Sequence, residues 1–374
     1  MTDHSGAGSP GMGAPPTASG DTSAFRFEGT WQEFAPIAFT YLLLTIVTLG
    51  IYRFWATTRE RQYLWSRSRF VDETLEWNGT GMELFIGFLL VLVLLVAPFF
   101  LLSQLAQAMV LRGQEQLGSL ITLVSFVVFF YLAGVARFRA LRYRLSRTRW
   151  RGIRGGSDDR GFRFGLSYMW KTIFGYLPLG LLIPWSMTSL WNERWSKMSF
   201  GPYGFEANAD PVPVFKRFLL FYLMPFVFII AGGAMAAAFM GMGSEAFDSP
   251  ELAPGFIIAI FLGILGIYLA LGLIAVAFYA AFYREAVGAT RWGDVQFEFN
   301  ASTMDWFKLI LGDVALVALT LGVGYIFLSY RHWKFFIVHM DARGEILLDE
   351  LTQSQTATAG HGEGLLDAFD VGAI

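Results

Sequence analysis

The chain contains no cysteine among its 374 residues. That absence excludes disulfide scaffolds, thiolate-ligated zinc, iron–sulfur clusters and thiol catalysis. Charge is also scarce: only 16% of residues are Asp, Glu, Lys or Arg, against 55% hydrophobic. A soluble domain carries about a quarter of its residues charged to cover its surface, so much of this surface is expected to face lipid. The net charge of −2 gives no general basis for binding nucleic acid. The four histidines, His4, His332, His339 and His361, have no ligand-like spacing, and no GxSxG, P-loop, GxGxxG or HExxH motif occurs. The sequence therefore presents no catalytic residues, metal ligands or cofactor site, and the reading leans away from an enzyme.

What is present is apolar and long. Leu84–Leu102, Leu117–Ala136, Phe218–Met242 and Gly255–Tyr283 hold no Asp, Glu, Lys, Arg or His and meet the requirement of about 20 apolar residues for a membrane span. Three further segments are less regular: Ala35–Tyr52, Thr172–Trp191 with Pro178 and Pro184, and Leu309–Leu328 with Asp313. Residues 1–24, rich in Gly, Ser, Pro and Ala, read as a disordered tail and not as a signal peptide.

One motif recurs five times. The run from Leu75 to Phe85 (LEWNGTGMELF) parallels that from Phe297 to Phe307 (FEFNASTMDWF), and Phe205–Phe215 keeps the spacing. Weaker copies begin at Phe25 and Phe162. Apolar–charged–apolar alternation predicts a short extended piece with one buried face. A small residue then turns the chain, and a helix N-cap follows, with capping boxes expected at Thr30/Glu33, Thr80/Glu83 and Ser302/Asp305. The sequon-like Asn78-Gly79-Thr80 and Asn300-Ala301-Ser302 are read as caps, not glycosylation sites.

A longer repeat encloses the motif. Trp55, Trp65, Phe70, Glu76, Asn78 and Phe85 recur 130 residues on as Trp185, Trp195, Phe200, Glu206, Asn208 and Phe215. Thr48-Leu49-Gly50 recurs as Thr320-Leu321-Gly322, and Thr148-Arg149-Trp150 as Thr290-Arg291-Trp292. The order predicts unit 1 over 25–154, unit 2 over 155–294, a half unit over 295–350 and a flexible tail over 351–374. The fold class expected is an all-α integral membrane bundle of two and a half repeats. It would have four spans, three shorter or re-entrant apolar segments and short extended interfacial pieces.

Here the sequence resembles a known family. The Phe25-x-Phe27-x-Gly29 start, the stretch Leu44-Thr45-Ile46-Val47-Thr48-Leu49-Gly50-Ile51-Tyr52-Arg53-Phe54-Trp55-Ala56, Arg59, Tyr63 and the Asn78–Phe85 run are similar to the YjgN family of bacterial inner-membrane proteins. The resemblance covers roughly residues 25–350 and implies a multi-pass inner-membrane location and architecture. It implies no site residues.

Lys and Arg mark cytoplasmic loops. The loops 103–117 and 243–254 hold only Arg112 of the 28 basic residues. If the three irregular segments turn back, the other 27 share one face; if all three cross, seven spans arise and successive units are inverted, as in some transporters. Two functional readings follow. One is a transporter- or channel-like protein for a small or amphiphilic solute, in which Asp313, the acid inside an apolar segment, couples an ion. The other is a non-transporting membrane organiser that binds anionic lipid. Its candidate residues are Arg137, Arg139, Arg142, Arg144, Arg147, Arg149, Arg151 and Arg154, eight Arg without a Lys, which can equally serve as a plain topology signal. Phe138, Leu141 and Leu145 would form the apolar face of that stretch. Membrane lipids, anionic ones above all, are the expected partners, with no nucleic acid. The small-residue faces Gly233-Ala237-Gly241 and Ala259-Gly263 allow close helix packing or a homo-oligomer.

Overall fold

Four of the five motif copies lie on strands that lead to a helix N-cap. In the computed structural model, which describes residues 23–242, 252–346 and 348–358, these are β1 (Phe25–Phe27), β4 (Glu76–Trp77), β8 (Tyr203–Ala207) and β10 (Val295–Phe299). Thr30, Thr80, Asp210 and Ser302 follow with extended backbone, and each side chain accepts a first-turn N–H. Complete capping boxes close at Thr80/Glu83 and Ser302/Asp305. At Thr30 only half a box forms, because Glu33 turns to the Tyr63 hydroxyl and Arg67. Thr80→Ala should therefore cost about 1 kcal/mol, read as faster amide exchange in the first turn after Thr80 with insertion unchanged. The Ser302 hydroxyl and N–H hold the Asp305 carboxyl below its ordinary 3.8. A depressed carboxyl stabilises the fold above its unfolded value and loses that contribution as pH falls through the lower folded one. The third cap should thus persist through mild acid.

The fifth copy is a correction. Phe162 does not begin a strand; it opens helix α6 (Phe162–Tyr176) directly after the left-handed Gly161. Asp159 Oδ1 accepts the Gly161 N–H at 2.7 Å, which fixes the turn and starts the helix one residue later. The strand in that place is β6 (Ile153–Gly156).

A second correction concerns fold class. The protein is mostly helical, but it also carries a large curled antiparallel sheet beside a three-stranded one and is not all-α. Besides those named, the strands are β2 (Ser68–Phe70), β3 (Glu73–Thr74), β5 (Thr148–Trp150), β7 (Ser199–Phe200), β9 (Thr290–Trp292) and β11 (Met340–Arg343). β1-β2-β3 form one run and β4 through β11 the other, each in sequence order. Leu75 joins β3 to β4, its N–H donating to Ser68 O at 2.8 Å. The far edges approach each other as well: Ala24 N donates to Asp341 Oδ1 at 2.9 Å and Ser23 Oγ to Met340 O at 3.2 Å. Phe70, Trp150, Phe205 and Trp292 fill the interior. Each extended piece has backbone groups to satisfy, and its neighbours in the chain supply them.

Helical hairpins leave this sheet between paired strands. Three are short: α1 (Trp31–Val47) with α2 (Arg53–Ser66), α6 with α7 (Ile183–Trp195), and α11 (Thr303–Leu319) with α12 (Leu328–His339). Two are long. In the first, α3 (Gly81–Val91) and α4 (Ala97–Leu111) join through a π-helical turn and pack on α5 (Glu115–Arg147). In the second, α8 (Pro211–Phe218) and α9 (Met224–Met242) join through a 3₁₀ turn and precede α10 (Leu252–Gly288).

The strands flanking each hairpin pair with each other: β1 with β2, β4 with β5, β6 with β7, β8 with β9, β10 with β11. Both ends of every hairpin therefore sit on the sheet side. The three short hairpins turn back, and among the described residues four apolar helices have the length and composition to cross. A seven-span arrangement would place β1 and β2 on opposite faces of the membrane, which their pairing forbids. The 17 residues of α1 and of α11 reach about 25 Å at 1.5 Å per residue, short of a bilayer core of about 30 Å.

All three short hairpins turn on a Leu-Gly pair with positive φ: Leu49/Gly50, Leu179/Gly180 and Leu321/Gly322. A leucine in this region is strained by about 1–2 kcal/mol. The following glycine carries no such penalty. The three leucines are 93%, 86% and 94% exposed, so each hairpin presents an apolar tip. The topology predicts a labelling pattern in this cysteine-free background. A cysteine at Gln114 should react with an impermeant thiol reagent from outside, and cysteines at Val71 and Ser302 should not. Labelling of Ser302 alone among the latter two would restore the inverted arrangement.

Equivalent hydrogen bonds repeat between units. Trp150 Nε1 donates to Phe70 O at 3.0 Å and Trp292 Nε1 to Phe200 O at 2.9 Å. The N–H groups of Asn78, Asn208 and Asn300 donate to Arg147, Ala289 and His339 carbonyls. One role has shifted: Trp65 donates to Thr148, but in the second unit Trp191 donates to Thr290, one turn before the expected Trp195. Close helix packing arises at Gly134 and Gly165, where a Cβ at Gly134 would stand 2.9 Å from Gly165 Cα. Gly233 has nothing within 4 Å of a Cβ position and Ala237 is exposed. The Gly241 and Ala259 side chains lie outside the described residues, as do 1–22 and 359–374 of the two tails.

Candidate basic sites at the sheet face

Helix α5 continues without a break through Arg147, so the arginine-rich stretch divides between the helix end and the β5–β6 hairpin. Phe138 and Leu141 are buried, and Leu145 packs beside them, as the spacing predicts. Most of the arginines have partners within the protein. Arg147 grips Glu83 at 2.7 and 3.0 Å, and the Tyr143 hydroxyl donates to the same carboxylate at 2.9 Å. Arg142 is buried and reaches Ala357 O. Arg139 donates to Arg160 O at 3.2 Å. Arg154 holds the carbonyls of Ser354 and Thr356, which draws residues 351–358 along the sheet. Arg151 pairs with Asp72 and holds that carboxyl below its ordinary value. Arg149 faces the Asn78 amide. Arg137 lies over the Tyr168 ring at 4.8 Å, and Arg144 is partnered too. The stretch acts first as an internal clamp.

A basic cleft the sequence reading missed lies at the base of the second long hairpin. Lys216 and Arg217 at the end of α8 face Arg284 on α10, with Pro213, Ala281 and Glu285 completing a space of about 460 Å³. Glu285 accepts the Asp210 N–H at 2.9 Å, and Arg284 donates to Ala301 O at 2.8 Å. Lys216 and Arg217 are exposed and make no hydrogen bond or ion pair with other described residues. Val212 and Leu219, which precede and follow this basic pair in the chain, are exposed apolar residues. The legible signal was a pair of basic residues opening a span and an Arg closing the same hairpin. A larger cleft of about 730 Å³ lies within the first long hairpin, between α4 and α5 near Leu111. Its polar lining is limited to Ser103, Gln107, Ser119 and Thr122.

Asp313 is held by two side chains of the following helix. Its side chain is largely buried and accepts from Arg331 Nε at 2.6 Å, while His332 Nε2 lies 2.6 Å from the other oxygen. Arg331 also reaches Leu309 O. Both carboxylate oxygens thus tie α11 to α12. Asp313→Ala should loosen this hairpin by about 1–3 kcal/mol, the range for losing hydrogen bonds to a charged group. Faster proteolysis within 303–339 is the readout; unchanged cleavage would refute the lock.

A family model described as "Bacterial protein of unknown function (DUF898)" matches residues 22–368. The inner membrane protein YjgN of Escherichia coli strain K12 is 28% identical over 164 residues, which cover 43% of this chain and 36% of that relative. YjgN of Salmonella typhimurium is 27% identical over 160 residues, covering 42% and 35%. The match thus spans about a third of the length of these curated relatives. No solved structure matches. With four membrane-length helices and these relatives, the protein is a multi-pass inner-membrane protein, and with its match over nearly the whole chain it belongs to the DUF898 family of bacterial proteins.

Proposed function

We propose that this protein is a non-transporting membrane organiser that holds anionic phospholipid along the sheet face of its bundle. The observation that carries this reading is the open cleft formed by Lys216, Arg217 and Arg284 where a membrane-length hairpin meets the sheet. Guanidinium groups match phosphate oxygens in bidentate fashion, and lysine adds a point charge. Acyl chains would follow the apolar surface beyond Val212 and Leu219, while Leu49, Leu179 and Leu321 seat the short hairpins among neighbouring lipids.

The transport reading has less support. It calls for a polar passage between units, whereas the larger cleft sits inside one hairpin and both oxygens of Asp313 are bound within another. Each basic residue near an anionic surface contributes about 1 kcal/mol, roughly a fivefold preference. The double variant Lys216→Gln/Arg217→Gln should therefore lose most of the selectivity for phosphatidylglycerol over phosphatidylcholine, measured by lipid retention on the purified protein. Equal retention by both forms defeats the proposal. Solute uptake into reconstituted vesicles would return the transport reading to first place.

A further inference from the structure

The hairpins do not all reach equally far from the sheet, and three contacts give the depth of the short ones. Phe54 of α2 meets Phe85 and Phe88 of α3 at 5.6 and 5.1 Å. The Leu49 tip, which precedes α2, therefore lies past a point about 10 Å along the span that Gly81 opens. The Tyr222 hydroxyl donates to Leu179 O at 2.6 Å, which sets the second tip about 16 Å along the span that Pro211 opens. Trp306 of α11 stacks on Tyr283 of α10 at 5.4 Å, level with the end of an apolar run, and the Leu321 tip is about 20 Å farther on. In a bilayer core of about 30 Å, all three tips stop towards the middle.

Lipid is what meets them there. The first helix of each short hairpin is apolar and exposed, at Leu43 and Ile46, at Ile173 and Phe174, and at Leu311 and Val314. Arg53, exposed beside the first tip, is long enough to return its guanidinium to the sheet-side headgroups. Among the described residues, five hairpins thus place ten helical limbs in the sheet-side leaflet, and only the four limbs of the two long hairpins continue into the other. A helix with its side chains is about 10 Å across, so the six extra limbs add on the order of 500 Å² to one leaflet alone.

We propose that the protein is a membrane wedge that gathers on curved bilayer, where the leaflet on its sheet side is the convex one. Bending a bilayer stretches its convex leaflet and compresses its concave one, so a body broader on the convex side relieves both. Apolar insertion confined to one leaflet is curvature-sensitive for the same reason. The wedge rests on hairpin depth and not on the Lys216 cleft, so it requires no anionic lipid.

Narrow tubes drawn from giant phosphatidylcholine vesicles test the proposal. The full-length protein carries a fluorescent label on Val71→Cys, and an impermeant quencher separates molecules with the sheet outward from those with it inward. Sheet-outward molecules should be enriched severalfold on the tube relative to the parent vesicle, and sheet-inward molecules depleted. Equal densities on tube and vesicle in both orientations overturn the wedge. The variant Leu49→Asn/Leu179→Asn/Leu321→Asn should lose most of the sorting. Asparagine accepts the left-handed backbone of these turns, but its amide is costly to hold in hydrocarbon. If the triple variant does not fold, Leu179→Asn alone should lose part of the sorting. Asparagine variants that sort as the wild type does would assign the effect to the bulk outside the membrane and would also overturn the wedge. Lys216→Gln/Arg217→Gln should sort as the wild type does, so the lipid-organiser reading and the wedge can each fail alone.

Discussion

Glu83→Ala should destabilise the protein by about 3–5 kcal/mol, the range for removing one partner of a buried ion pair. The side chain is only 14% exposed and serves three neighbours at once. It returns to the Thr80 N–H to complete the capping box that starts the first span, accepts two bonds from Arg147, and accepts the Tyr143 hydroxyl. Alanine would leave Arg147, itself 18% exposed, without its carboxylate. Glu83→Gln keeps an acceptor for the cap and for Tyr143, and should lose distinctly less. Denaturant titration in micelles measures both. An alanine variant within about 1 kcal/mol of wild type would mean that water or lipid replaces the carboxylate and that the clamp has no structural weight.

Trp150→Ala is expected to have an effect of similar size, about 3–5 kcal/mol for a buried tryptophan. The ring is 1% exposed and sits inside the curled sheet. It stands edge-on to Phe70 at 5.0 Å and to Trp292 at 6.2 Å, and its Nε1 donates to Phe70 O. Truncation both opens a cavity and leaves that carbonyl without its donor. Trp292→Ala should behave alike, because it repeats the bond to Phe200 O and shares the same interior. Trp31→Ala, at a position 59% exposed, should change stability by no more than about 0.5 kcal/mol. If all three tryptophans behave the same in unfolding experiments, the interior is not the cooperative core described here.

The spans and caps were readable because their signals are local. An apolar run declares itself, and Thr80/Glu83 and Ser302/Asp305 lie within one helical turn of each other. The sheet was not readable. Its strands are two to five residues long, too short for alternation to separate a strand from an interfacial loop. The turning points of the short hairpins were visible as repeated letters but not as geometry. Two successive left-handed residues at Leu49 and Gly50 are what reverse the chain, and a leucine is a poor advertisement for that conformation. Ion pairing was the least legible layer. Asp313 stood out as an acid in an apolar segment, yet its partners are 18 and 19 residues on, across the hairpin. The arginines of residues 137–154 likewise gave no sign of Glu83 and Asp72, which the fold brings to Arg147 and Arg151 from earlier in the chain.

The meeting of the two sheet edges has a consequence for how such a chain can change over generations. Open solenoids can gain or lose modules because each new module simply stacks on the last. Here the residues that lead into β1 approach the β11 edge through hydrogen bonds to Met340 and Asp341, so a further strand pair would have to part those contacts. A duplication adding a whole unit would have to widen the ring and empty its aromatic interior. A deletion would expose strand edges that invite pairing with other molecules. Variation between relatives should therefore accumulate in hairpin length before it touches hairpin count.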